Sequence, residues 1–299
     1  MRIWVAGVPG GWSGKRMVAA LENLKIDTKL ISLSDCSHEL LSGRVDCDGE
    51  DLSSLDGLVV RKMGDPIDPL TPTRVNLLRR LEGRGVRIFS PAAAIEEAND
   101  RYRMSLRLAE IGVPLPETIV TESTDEAMSL VEKWDRVVIK PLLTSKGRGM
   151  QLLSSDGAYR LSLKNWSHRG ASPYYVQRYV ATSRDIGVAI LGNQIVGAYQ
   201  RVAAPGEWQT TIRAGGHYEP FAPDSKVSRL ALTAAEPFGL DFTVVDLVQS
   251  GDDWLVYEVS AFGGFSGLWS CGIDAASKMA HYVVAHVDIP ARVVHKRVR

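Results

Sequence analysis

A buried strand that ends in a lysine and runs directly into a glycine loop is the feature that most narrows what this chain can be. Residues 137–150 read VVIKPLLTSKGRGM. The apolar run delivers Lys140, Pro141 follows it, and Gly147 and Gly149 allow close backbone approach in the loop. A strand that presents one cation to a loop of free backbone N–H groups is a device for holding phosphates. A lysine at a strand end ordinarily only snorkels to solvent. The loop gains weight from an acidic pair, Asp246 and Glu258, roughly 100 residues downstream.

The residues before this stretch alternate between strand and helix patterns. IWVAGV (3–8) reads as a buried strand, with Ser13 as N-cap of a helix carried by Met17, Val18, Leu21 and Leu24. Short strands are expected over 29–33, 57–60 and 86–89. A helix starts at Thr71 or Thr73 and turns Val75, Leu77, Leu78 and Leu81 inward. Such alternation argues for a parallel sheet. Residues 92–112 read as one amphipathic helical region, stopped by Gly112, Pro114 and Pro116. A strand (118–120), a helix (125–133), the lysine strand (137–140) and a return strand (150–153) follow. From Tyr174 the pattern becomes antiparallel. After the apolar run 174–180, Gly192-Asn193 turns a hairpin between 186–191 and 195–199. APGEWQTTIRAGGH (204–217) reads as a mobile loop, 227–238 as a helix, and 242–249 with 254–259 as a hairpin around SGDD. A helix over 273–286 closes the pattern.

Composition excludes several functions. The 299 residues carry 35 Lys plus Arg and 35 Asp plus Glu, so nothing draws the chain in bulk to nucleic acid or an anionic membrane. Cys36, Cys47 and Cys271 form no CxxC and no disulfide framework, which suits reduced thiols. RIWVAGV is too short for a secretory segment, and no apolar run reaches membrane-spanning length. A cytoplasmic globular protein is expected. PGGWSGKR resembles a P-loop but has Pro9 for the first glycine and Arg16 for the magnesium-binding Ser/Thr. A plain strand-to-helix turn is favoured there, with a substrate role at the helix N-terminus kept open. The histidines show no zinc spacing, and no nucleophile elbow or Cys–His pair stands out.

Asp246 lies in TVVDLV and Glu258 in LVYEV, the two strands of the last hairpin. A turn with an odd number of residues would set them directly opposite each other. Carboxylates rarely enter apolar strands unpaired, because desolvating a charge costs several kcal/mol. A magnesium ion carrying phosphates resolves that cost; arginines bridging two edge-strand acids are the competing account. Arg201 and Arg213 bracket the 204–217 loop and are candidates to stabilise developing oxyanion charge.

Taken in order, these residues resemble the ATP-grasp superfamily, and within it the RimK-like carboxylate–amine ligases. GVPGGWSGKRMVAAL, NDR, VVIKPLLTSKGRGM, YVQRYV, RDIGVAILGNQIVGAYQR, WQTTIRAGG, VVDLV and YEVSAFGGFSG follow in that family's order and spacing. The resemblance implies an α/β fold, α+β overall: a Rossmann-like pre-ATP-grasp domain (1–91), a central sub-domain with the glycine loop (92–168) and a C-terminal sub-domain with the metal site (169–299). It implies ATP contacts from Arg101, Lys140 and the loop residues Ser145, Lys146, Gly147 and Gly149. Gln177 and the backbone of Arg178, Tyr179 and Val180 would hold adenine, and Asp185 the ribose. Asp246, Glu258 and Ser260 would bind magnesium, or manganese in its place. The implied reaction joins an amino acid or peptide carboxylate to an amine through an acyl phosphate, with Arg201 and Arg213 catalytic. A hydroxyl phosphotransferase and a non-catalytic nucleotide binder are the alternatives, and a homo-oligomer is allowed. The departures are Arg101 for lysine, Arg178 for an acid, Gly187 for arginine, and Thr211 and Ser260 for asparagine.

Overall fold

The computed structural model describes residues 1–64, 70–144, 146–168 and 173–289. The chain opens as β1 (Ile3–Ala6), α1 (Trp12–Asn23) and β2 (Leu30–Ile31). A small antiparallel sheet of β3 (Cys36–His38), β4 (Val45–Cys47) and β5 (Glu50–Asp51) then interrupts the alternation. β6 (Gly57–Val60), α2 (Thr71–Glu82) and β7 (Arg87–Phe89) resume it. The sheet order β2–β1–β6–β7 is parallel at every pairing, as the alternation predicts. The small sheet escaped the sequence reading because its strands are too short to show a period. Ser13 is not the N-cap: α1 begins at Trp12 with Gly11 at that position. The Ser13 hydroxyl instead accepts hydrogen bonds from Arg61.

Two helices, α3 (Ala92–Asn99) and α4 (Arg101–Glu110), replace the single helical region expected over 92–112. Asp100 separates them. Its backbone is extended, and its carboxylate accepts from the N–H groups of Tyr102 and Arg103. An aspartate that caps the second helix competes with continuing the first. The consequence for function is that Arg101 begins a helix and is pinned there, its own N–H donating to the Leu142 carbonyl at 3.1 Å.

β8 (Thr118–Thr121), α5 (Thr124–Trp134), β9 (Arg136–Lys140), β10 (Gln151–Ser154), α6 (Tyr159–His168) and β11 (Tyr174–Arg178) form the middle of the chain. Their sheet runs β10–β9–β11–β8 and is antiparallel. Leu130, Val131, Val137, Ile139, Leu163, Trp166 and Val176 give this lobe a core of its own. A lobe with a separate core is free to move as a unit.

The last sheet runs β14–β13–β12–β15–β16. It is built from β12 (Arg184–Leu191), β13 (Gln194–Val202), β14 (His217–Pro220), β15 (Phe242–Ser250) and β16 (Asp253–Val259), with α7 (Ser225–Ala235) between β14 and β15. α7 covers one face, where Ile186, Val188, Leu247 and Val256 pack on Val227 and Ala231. α8 (Ser266–Ser270) and α9 (Ala275–His286) follow. Met279, Ala280 and Val283 of α9 share one buried cluster with Ile3, Val5, Met17 and Leu21. The start and the end of the described chain therefore close over a common core. A buried ion pair, Arg87 to Asp241 at 2.7 Å, ties β7 to the segment entering β15. Among the described residues no helix is long and apolar enough to cross a membrane.

Candidate active site

Register brings the polar residues together. Across the last sheet Asp185 faces Arg201, Arg201 faces Tyr218, Gly187 faces both Tyr199 and Asp246, and Asp246 faces Glu258. Directly paired residues, and residues two apart on one strand, share a face. All of these therefore lie on the side away from α7. The expected opposition of Asp246 and Glu258 is met by a different route. The turn is the two-residue Gly251-Asp252, and a bulge at Tyr257 supplies the extra residue that brings Glu258 into line.

A cavity of about 710 Å³ takes its wall from this face, from the β9–β11 lobe and from the ends of β1 and β6. Arg101, Lys140, Lys146, Gly147, Gln177, Arg178, Tyr179, Val180, Asp185, Arg201, Asp246, Glu258 and Ser260 all border it. Arg213 and Gly149 do not. Arg213 sits exposed in the short turn Ile212–Ala214. Gly149 has φ +71°, and a side chain there would meet Pro141 at 3.0 Å, so its glycine serves the loop's own path. Ser145 lies outside the described residues. Gly147 has φ +67°, and an added Cβ would lie 2.9 Å from Gln209 and 3.1 Å from Thr211. The glycine loop thus lies against the 204–217 segment across the cavity mouth.

Lys140 is buried, and its Nζ donates to Gln177 Oε1 at 2.5 Å and lies 4.6 Å from the Tyr257 ring centre. Gln177 is fixed in turn by donating to Thr118 Oγ1 at 2.9 Å, so it positions the lysine. Burial first, and then the Arg101 charge, push the Lys140 amine down to about 7. Arg101 donates to the carbonyls of Pro141 and Thr144 and lies 3.8 Å from Glu258. Two cations and one acid thus face the cavity at the root of the glycine loop.

Arg201 is gripped by both oxygens of Asp185, at 2.8 and 2.6 Å, and reaches Asp246 Oδ2 at 2.9 Å. Burial works against its charge, but the two carboxylates outweigh it and hold the guanidinium protonated. Asp185 therefore orients Arg201, its two oxygens both turned onto that guanidinium. Asp246 pays for the arrangement: burial, together with Asp185 and Glu258, raises its carboxyl to about 7 despite Arg201. Its Oδ1 is buried and has no hydrogen-bond partner among the described residues.

That orphaned oxygen tests whether a divalent cation fits. Oδ1 is a hard donor opposite Glu258, with the Ser260 hydroxyl on the same wall, which suits Mg²⁺ or Mn²⁺. Among the described residues no group of three or more His, Cys, Asp or Glu side chains gathers as a metal cage. A cation here draws its remaining ligands from phosphate oxygens and water.

The hinge from β11 to β12 is partly spent on the protein. Arg178 and Tyr179 donate their N–H groups to the carbonyls of Glu117 and Arg136, and the Arg178 side chain pairs with Glu117 at 2.5 Å. The Tyr179 ring contacts Trp208 edge-on at 6.4 Å, which joins hinge and 204–217 segment.

Sequence reasoning missed several wall residues. Lys62 carries no local motif, and Tyr199, Trp208 and Tyr257 lie inside stretches that carry the resemblance without any role attaching to them. Arg61 did carry a signal, because GLVV followed by a basic residue repeats the pattern VVIK. Tyr199 explains the departure at Gly187. A Cβ at Gly187 would lie 2.5 Å from the Tyr199 ring, and one at Gly267 would lie 2.6 Å from it. The tyrosine ring fills the space that a side chain at 187 would take.

This clasp of nucleotide-sized cavity, buried lysine and opposed carboxylates is an ATP-grasp site. The profile of the RimK-like ATP-grasp domain matches residues 98–283, and the chain belongs to that family. The activity supported by that membership is ATP-dependent carboxylate–amine ligation, and neither the phosphotransferase nor the non-catalytic alternative is favoured. Among its relatives is the tetrahydromethanopterin:alpha-L-glutamate ligase of Methanosarcina acetivorans, 27% identical over 81% of this chain and 80% of that one. A probable alpha-L-glutamate ligase of Hahella chejuensis is 30% identical over 71% of each. In fold the chain is similar to the RimK domain ATP-grasp protein of Sphaerobacter thermophilus, with TM-score 0.75, 18% identity and 94% and 99% of the two chains covered. It is equally similar to the ATP-grasp ligase PsnB, whose structure was solved with a precursor variant, Mg and ADP (TM-score 0.75, 16% identity, 96% and 98% covered).

Proposed function

We propose that this chain spends ATP, with Mg²⁺ or Mn²⁺, to join the carboxylate of a small acid or peptide to an amine in this cavity. The observation that carries the reading is Asp246: a buried carboxylate oxygen with no partner among the described residues, opposite Glu258 and beside the charge-holding Arg201. Lys140, Arg101 and Lys146 bind phosphate oxygens. Asp246, Glu258 and Ser260 hold the cation, which supplies neutralisation of triphosphate charge. Val180 offers the hinge N–H to adenine, since those of Arg178 and Tyr179 are already bonded. Gln177 sets the lysine and Asp185 sets the arginine. Arg213 has no role in this assignment.

A substrate carboxylate oxygen attacks the γ-phosphorus as the bond to the β–γ bridging oxygen breaks and ADP leaves. The amine nitrogen attacks the acyl carbon, Arg201 stabilises the oxyanion, and phosphate departs with the electron pair of the broken C–O bond. The amine proton passes to phosphate or water. The 146–149 loop, lying against 209–211, keeps water from the acyl phosphate. Of the three expected units, 1–91, 92–168 and 169–299, the middle one is extended here to Arg178, because β11 lies between β9 and β8. The relatives' names make glutamate the first amine to try.

The test incubates the chain with ATP, magnesium and paired acid and amine libraries, and follows ADP. Hydroxylamine added in place of the amine should trap a hydroxamate. If ATP binds but no pair ever releases ADP, the ligase reading is wrong.

A further inference from the structure

The cavity has a second electropositive end that the ATP assignment does not use. Arg61 follows β6, is 2% exposed and borders the cavity. Its Nε and one Nη donate to Ser13 Oγ at 3.2 and 3.1 Å, and that Nη also donates to the Gly263 carbonyl at 2.5 Å. Among the described residues its other Nη faces only the Met279 sulfur at 3.8 Å, and the guanidinium stacks 3.8 Å from the Phe265 ring centre. No carboxylate of the described residues pairs with it. Burial lowers its pKa to about 9, the mark of a charge held without a counter-charge. Its neighbour Lys62 also borders the cavity, and burial followed by Arg61 pushes that amine down to about 8.

An independent feature adds to this charge. The first turn of α1 borders the same cavity, and the helix has neither a capping side chain nor an acid in that turn. Its free N–H groups and its dipole are electropositive. Ser13, in that turn, receives hydrogen bonds from Arg61 and so keeps its own O–H to donate. A buried cation beside a helix N-terminus is repulsive unless something negative sits between them.

We propose that Arg61, Ser13 and the first turn of α1 form a subsite for a substrate carboxylate other than the one that is phosphorylated. Calling the occupant a substrate group rests on the ligase reading. One guanidinium, one hydroxyl and a helix turn suit a singly charged, two-oxygen anion. The substrate class is then a dicarboxylic acid or an amino acid that presents a free carboxylate, while the triphosphate lies at the Lys140 end.

The experiment measures binding to the full chain preloaded with magnesium and a non-hydrolysable ATP analogue. The probes are glutarate, succinate, L-glutamate, the neutral glutaramide and inorganic phosphate. At least one of the acids should bind saturably, and about tenfold or more tighter than glutaramide. Arg61→Met and Ser13→Ala should each weaken that acid by about tenfold or more with analogue affinity unchanged, and Arg61→Lys should weaken it less. Ser13→Ala and Arg61→Lys decide the matter if Arg61→Met does not fold. The subsite is overturned if no acid binds, if acid and amide bind alike, if phosphate alone binds, or if Ser13→Ala binds the acid as the parent does. Arg61-dependent acid binding without any ADP release would sink the ligase reading and leave the subsite standing. ADP release with acid binding indifferent to both residues would do the reverse.

Discussion

Changing Asp246 to Asn separates what this carboxylate costs the fold from what it gives the site. Its carboxyl is raised from 3.8 to about 7, first by burial and then by the repulsion of Asp185 and Glu258, against the pull of Arg201 at 2.9 Å. A folded-state pKa above the unfolded one means that the unfolded chain gives up its proton first. The contribution to stability is complete below about pH 4 and disappears as pH rises to about 7. The full difference is about 4 kcal/mol, of which about 3 kcal/mol falls between pH 5 and 8. Asparagine has nearly the same shape and does not titrate. In metal-free buffer, urea unfolding should show the parent losing about 3 kcal/mol relative to Asp246→Asn on going from pH 5 to pH 8. Magnesium and ATP should then stabilise the parent at pH 8 more than the variant, which keeps Lys140, Arg101 and Lys146 but loses a cation ligand. A stability difference between the two proteins that is the same at both pH values would refute the argument. It would mean that the buried oxygen is solvated or that Arg201 fully compensates it.

Lys140 titrates in the opposite sense. Its amine is lowered to about 7 by burial and the Arg101 charge, and bound triphosphate restores the charged form, so ATP binding at pH 8 should take up a proton. Calorimetry in buffers of different ionisation enthalpy measures it, and Lys140→Met should abolish the uptake and weaken ATP by at least about tenfold. Gly187→Ala places a methyl 2.5 Å from the Tyr199 ring and should cost about 1–3 kcal/mol by denaturant unfolding, with loss of ADP release because the displaced ring borders the same cavity as Arg201 and Asp246. Arg87→Met leaves Asp241 buried without its cation and should destabilise by about 3–5 kcal/mol, whereas ATP affinity measured below the unfolding transition should not change.

What could be read from the sequence was whatever neighbouring residues decide. The VVIK strand, the Gly192-Asn193 hairpin and the β15–β16 hairpin stand where local pattern places them, because apolar runs and turn residues act over a few positions. The α3–α4 break was missed because Asp100 is ordinary inside a helical pattern until its carboxylate is seen capping Tyr102 and Arg103. β14 was missed because its strand character comes from pairing with β13 rather than from HYEP itself.

The site divides in the same way. The sequence by itself determined which charged groups interrupt apolar strands: Lys140, Asp246 and Glu258 stand out because a buried strand tolerates such residues only where something compensates them, whereas Asp185 entered only through the family resemblance. Only the tertiary structure decided which of them meet. Asp246 faces Glu258 through a bulge at Tyr257, and Asp185 is turned onto Arg201. Arg61 and Ser13 converge on the cavity because α9 and α1 close the far side of the β1–β6 sheet. Spacing along a chain fixes the face on which a side chain lies, whereas the charge or the vacancy it meets there is set by strands and helices distant in sequence.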